Sequence, residues 1–147
     1  MSTLTRKTTK QRDAFLLVQR TGKELRQQVA EALKPAGMTT AKYNLLRILR
    51  DAGSAGLPGS IISDRLVEHD PDVTRLLDRL EASGWVARSR DTEDRRVVRA
   101  RMTPAGLGML ARLDELIAGV HASQFGHLAR DELDTLMTLL ERVRTAR

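Results

Sequence analysis

The chain contains no cysteine. That excludes disulfides, thiolate metal ligands and any thiol-based redox switch. Aromatic residues are scarce, with one Trp, one Tyr and two Phe among 147 residues, so the core has to be aliphatic. Leu, Val and Ala dominate it, and Leu and Ala go easily into helices. No apolar run approaches the roughly 20 residues that span a bilayer. The N-terminal stretch MSTLTRKTTKQRD has no apolar centre and is not a secretory signal. The expectation is a cytoplasmic protein without membrane contact. Only three histidines occur, His69, His121 and His127, and no HxxxH pair with carboxylate support holds them. No metal site is expected. The glycines of GSAGLPGS lack the Lys-Ser/Thr that completes a phosphate loop. No Ser/His/Asp order suggests a nucleophile, so neither a catalytic site nor a cofactor is expected, and the chain is not read as an enzyme.

Positive charge is what the chain does have. Lys and Arg total 25 against 19 Asp and Glu, a formal net charge of +6. Such a balance suits an anionic partner without naming it. Most of the cations are arginines, whose planar fork bonds phosphate and guanine in pairs. Apolar residues make up 41 %, enough for one modest core.

The apolar spacing gives the element order. Residues 1–10 read as a loose polar arm. From residue 13, Phe15, Val18, Gly22, Leu25, Val29 and Leu33 form one helical stripe, which Pro35 and Gly37 end. Thr39 or Thr40 can cap a second helix with Tyr43, Leu46 and Ile48/Leu49 inward. GSAGLPG then reads as a loop, and a third helix covers about 60–67 with Ile61, Ile62 and Leu66 inward. Asp70, Pro71 and Asp72 open a fourth helix, where proline and acids suit the first turn. Val73, Leu76, Leu77 and Leu80 form its buried face, and Ser83-Gly84 stops it.

Two short apolar runs, at 85–87 and 97–100, flank the polar RSRDTEDRR and read as a β-hairpin with its tip at 91–95. Thr103 caps a fifth helix carrying Leu107, Leu110, Leu113, Ile117 and Val120. A sixth opens at Arg130-Asp131 with Leu133, Leu136, Met137, Leu140 and Val143 in phase. Helices followed by a short helix, an arginine-rich hairpin and a fresh helix start are what a winged helix-turn-helix needs. The outer helices exceed that minimum. Their apolar faces need cover, and a second copy of the chain in a two-fold dimer is the economical source.

These pieces resemble the MarR family of bacterial transcriptional regulators over nearly the full length. The matching segments are MTTAKYNLLRIL, DVTRLLDRLEASGWVAR, the wing EDRRVVRARMTPAG and the C-terminal DELDTLMTLLERV. The wing followed by Thr-Pro-x-Gly, at the right distance behind VTRLLDRLE, is the specific part. The resemblance implies a mainly α chain with a two- or three-stranded β wing. It is read as one MarR-like chain over 1–147, with a DNA-binding region at about 38–102 and dimerisation helices at about 11–34 and 103–147. It further implies a triangular homodimer with the winged regions at two corners. Two features depart from the family pattern. Glu68 and Asp70 make the turn before the fourth helix acidic. Pro58 stands where relatives often place a Ser or Thr cap, leaving Ser60 to supply one.

With Leu76, Leu77 and Leu80 inward, the outward residues of the fourth helix are Asp72, Thr74, Arg75, Asp78 and Arg79. Pro71, Asp72, Thr74, Arg75 and Arg79 are the candidate base-reading set. Arg75 suits a guanine and Arg79 a phosphate. Wing candidates are Arg88, Arg90, Asp94, Arg95 and Arg96. The resemblance points to Arg95 or Arg96 for a narrow minor groove, which attracts arginine, and to Asp94 as an ionic brace for a wing arginine. Thr40, Lys42, Ser60 and Arg65 are candidate phosphate contacts. Family members commonly release DNA on binding a small aromatic molecule, for which Phe15, Tyr43, Leu46 and Leu113 are candidate lining residues. The implied partners are a pseudo-palindromic double-stranded operator, a second copy, and such an effector. The implied function is a dimeric repressor released by that effector. The alternative is a winged-helix interaction module whose basic face binds an acidic protein or RNA.

Overall fold

A computed structural model describes residues 2–66 and 72–146. Among them lie six α-helices and three strands. They are α1 (Ser2–Leu33), α2 (Thr40–Ala52), β1 (Leu57–Pro58), α3 (Gly59–Arg65), α4 (Val73–Ala82), β2 (Val86–Arg90), β3 (Val98–Met102), α5 (Pro104–Phe125) and α6 (Arg130–Thr145). The chain forms two compact units, one of residues 29–116 and one of residues 1–28 with 117–147.

The central unit holds the core. Leu33, Met38, Tyr43, Leu45, Leu46, Leu49, Ile62, Leu76, Leu77, Leu80, Val86, Ala100, Leu110 and Leu113 are all buried. The hydroxyl of Thr39 accepts from the Lys42 N–H at 3.2 Å, which settles the open choice of cap for α2. Leu45, outside the expected stripe, is buried beside Leu46. Asp72 is the N-cap of α4, accepting from the Arg75 N–H at 3.0 Å. Asp70 and Pro71, read as part of that helix start, lie outside the described residues, as do Glu68 and His69.

The sheet has the order β1-β3-β2, all antiparallel. β1 comes from the segment read as a loop: Leu57 pairs with Ala100 and Pro58 with Arg99. A two-residue strand is too short to show alternation, and its proline fits because an edge strand does not need every donor. Gly56 makes the pairing possible. Its φ is +66°, and a Cβ there would stand 2.3 Å from the Ala100 carbonyl oxygen.

Three further expectations are corrected. The arm at 2–10 is helical, because α1 begins at Ser2; a helix already nucleated extends at one hydrogen bond per residue without an apolar stripe. Ile61 faces solvent, so α3 buries Ile62 and half-buries Leu66. A seven-residue helix has less than two turns with which to bury a stripe. Ser60 does not cap α3: the cap position is Pro58, without a side-chain hydrogen bond.

In the second unit, Gln124 on α5 ties to α1, donating to the Leu25 carbonyl at 3.1 Å and the Gln28 amide oxygen at 2.9 Å. α6 starts with Glu132 reaching back to accept the Ala129 N–H at 2.9 Å. It buries no residue, and Met137, Leu139, Leu140 and Val143 are exposed, as are Phe15, Leu17 and Val18 on α1. No helix among the described residues is long and apolar enough to cross a membrane.

Candidate nucleic-acid interface

The hairpin and α4 belong to the same compact unit, and local sequence explains how each is held. α4 buries Leu76, Leu77 and Leu80, so Asp72, Thr74, Arg75, Asp78 and Arg79 are all turned outward. Asp72, Arg75 and Arg79 share one surface concavity with Leu76. No carboxylate among the described residues lies within ion-pair distance of the Arg75 or Arg79 guanidinium. The two cations are available to an external anion.

The wing tip is organised by its own acids. Asp91 accepts from the Glu93 N–H at 3.0 Å and pairs with Arg99 at 3.3 Å. Its N–H donates to the Val97 carbonyl at 2.8 Å, closing the loop just beyond the Arg90–Val98 pair. Asp94 accepts from both the N–H of Arg96, at 3.1 Å, and its Nε, at 3.2 Å. The Arg96 side chain is nevertheless 92 % exposed. Asp94 therefore orients Arg96 without covering it. Arg90 donates to the Arg95 carbonyl at 3.0 Å, so Arg90 closes the loop while the exposed Arg95 side chain has no ion pair among the described residues.

Arg88 differs from the expectation that placed it among the DNA-facing wing residues. Alternation puts it on the face of β2 that carries the buried Val86, opposite the buried Ala100. Its Nη2 reaches Asp78 Oδ1 at 2.5 Å and Glu81 Oε1 at 3.2 Å, and its N–H donates to Glu81 Oε2 at 3.0 Å. Hydrogen bonds from Arg88 hold the Glu81 carboxyl below its ordinary range, and Glu81 and Asp78 raise Arg88. Arg88 is a strut between β2 and α4.

The other candidates are dispersed. Ser60 and Arg65 are exposed on α3, and Thr40 and Lys42 half-buried at the start of α2. Of the four residues read as a ligand pocket, Tyr43, Leu46 and Leu113 are closely packed core, while Phe15 lies on the exposed apolar face of α1 in the other unit. Apolar periodicity alone cannot separate a lining residue from a core one.

One polar cluster was missed. The Tyr43 hydroxyl donates to Asp114 Oδ1 at 2.8 Å, and Arg50 pairs with Asp114 Oδ2. Arg47 stacks on the Tyr43 ring at 5.6 Å. Burial, then the hydrogen bond to Asp114, pushes the Tyr43 hydroxyl up to about 12. Burial would raise Asp114, but bonds from Arg50 and Tyr43 outweigh it and the carboxyl ends below its ordinary value. The signal was in the sequence. Asp114 stands between Leu110 and Ile117 at i+4 and i+3 spacing, a carboxylate set on an inward stripe.

Comparison with known proteins matches this geometry. The MarR family model matches residues 38–98, from the start of α2 to the far strand of the wing. The transcriptional repressor MdtR of Bacillus subtilis is 30 % identical over 117 residues, covering 80 % of this chain and 72 % of the relative. A MarR transcription factor from Planctomyces limnophilus is 39 % identical, with TM-score 0.71 over 88 % of this chain and 94 % of that one. A variant of MarR from Escherichia coli, complexed with operator DNA, is 28 % identical with TM-score 0.75, covering 86 % and 90 %. The three-stranded wing, its placement behind a short exposed helix and these likenesses agree: the chain belongs to the MarR family of winged-helix transcriptional regulators.

Proposed function

We propose that the chain is a dimeric repressor that binds a pseudo-palindromic operator. Thr74, Arg75 and Arg79 of α4 read and anchor the major groove, and Arg96, braced by Asp94, enters the minor groove. The observation that carries this reading is the pair of cationic probes on one compact unit. One is a helix face whose arginines have no ion pair among the described residues, and the other a hairpin tip whose arginine is oriented yet exposed. MdtR, a named repressor, and the operator-bound MarR chain support it by likeness.

The dimer belongs to the same proposal. α6 buries none of its side chains, and its apolar row and that of α1 are exposed in a single copy. Exposed apolar rows of this kind call for a partner surface, and a second copy supplies the matching face. Release by a small aromatic effector completes the reading. Such a molecule acts only by favouring a state in which the two recognition helices are misplaced for the operator. Anisotropy titration against the chain's own promoter region is the test. Preference over random duplex at moderate salt is expected; equal affinity for both overturns the reading.

A further inference from the structure

We infer that Arg88, without touching DNA, is a positioning residue for its recognition: it occupies Asp78 and Glu81 on α4 and thereby keeps Arg75 unpaired and α4 fixed to the wing. The inference rests on the DNA-binding reading. Three observations carry it. Alternation along β2 puts Arg88 on the inward face with Val86, and its side chain is only 24 % exposed. Asp78 and Glu81 are three residues apart on α4, on one face, and a single guanidinium reaches both. Asp78 also stands three residues after Arg75, a spacing at which an aspartate and an arginine pair on a helix. Asp78 instead turns to Arg88, and no carboxylate among the described residues pairs with the Arg75 guanidinium.

Removing Arg88 has two consequences. Asp78, released from Arg88 and three residues after Arg75, is free to pair with Arg75 and draw it from the groove. Two uncompensated carboxylates are left on the helix that approaches phosphate. Glutamine at 88 keeps most of the stem but loses the charge and the fork. Lysine keeps a charge, yet its single ammonium does not reproduce the planar pairing with two carboxylates.

The experiment compares wild type, Arg88→Gln and Arg88→Gln/Asp78→Asn by anisotropy on operator and random duplex, across a salt series, with thermal melting as a fold check. Arg88→Gln is expected to weaken operator binding at least about fivefold, the scale of coupling between neighbouring charged groups. Discrimination against random duplex falls with it. The slope of log K against log salt changes by less than about half a unit, because no phosphate contact is lost. Adding Asp78→Asn restores most of the discrimination, which a merely structural strut would not do. Unchanged operator binding, a slope lowered by about one unit, or no recovery in the double variant each overturns the inference. If Arg88→Gln does not fold, Arg88→Lys takes its place, with the same loss of discrimination and the same rescue by Asp78→Asn. Wild type separates the two readings. No operator preference there sinks the DNA-binding reading and this inference with it; wild-type behaviour in the variants sinks this inference alone.

Discussion

Arg75 and Arg96 are both exposed cations, yet their loss should read differently. Arg75→Ala is expected to relax preference at one guanine, by about 1–3 kcal/mol, with modest loss on random duplex. Arg96→Ala should weaken binding uniformly and reduce the salt slope by about one unit. Anisotropy over a salt series measures both. Tyr43 is the only tyrosine, so its ionisation can be followed by ultraviolet absorbance. It should titrate near 12 in the folded protein against 10.0 for the free group. A raised pKa contributes stability that is complete below pH 10.0 and lost as pH climbs toward about 12. Asp114 has the opposite sign: its lowered carboxyl contributes above 3.8, and that contribution is lost as pH falls through its folded value. Asp114→Ala strands a buried hydroxyl and should cost about 1–3 kcal/mol in denaturant unfolding. The outward set on α4 was legible in the sequence because three leucines fix the phase of ten residues. Arg88 is not distinguished in the sequence because six wing arginines look alike in composition; alternation from Val86 selects Arg90 as well, and only the pairing with Asp78 and Glu81 sets Arg88 apart. Asp114 went unread because a stripe is scanned for apolar residues, and the exception carries the polar contact.

The junction between wing and α5 shows why Thr-Pro-x-Gly is informative. Thr103 donates through its hydroxyl to the Gly84 carbonyl at 2.6 Å and accepts the Gly106 N–H at 3.0 Å. It therefore caps α5 and holds the turn after α4 in one step. A Cβ at Gly106 would stand 2.1 Å from the Trp85 carbonyl oxygen, so no larger residue fits without moving backbone. Gly106→Ala should destabilise by about 1–3 kcal/mol, and Thr103→Ala by about 1 kcal/mol, both read from denaturant midpoints. These constraints are local, and local spacing reveals them. β1 was not legible for the opposite reason. Its partner lies some 40 residues away in β3, and two residues carry no periodicity. The cap of α3 was misassigned because a serine near a helix start is only a candidate, and here Pro58 sets the extended entry without a side-chain bond.

Two compact units divide the work between a buried core bearing the cationic probes and helices whose apolar rows are uncovered in one copy. On the proposed reading the second unit is completed by a partner chain. Met137→Glu with Leu140→Glu places charge on that row, where Met137 is 67 % exposed in a single copy. Sedimentation should then report a monomer where the wild type sediments as a dimer, and operator affinity should fall to the level of random duplex. The sequence carried this expectation because amphipathic stripes longer than a winged helix requires must be covered. It was silent on the surface that covers them, since pairing between copies leaves no periodicity within one. The most direct measurement of the central claim is operator affinity as half-site spacing changes. Two α4 helices held in one dimer match half-sites about 34 Å apart, one helical turn. Inserting about five base pairs, half a turn, between the half-sites should reduce wild-type binding to that of random duplex. Affinity indifferent to that insertion would contradict the account.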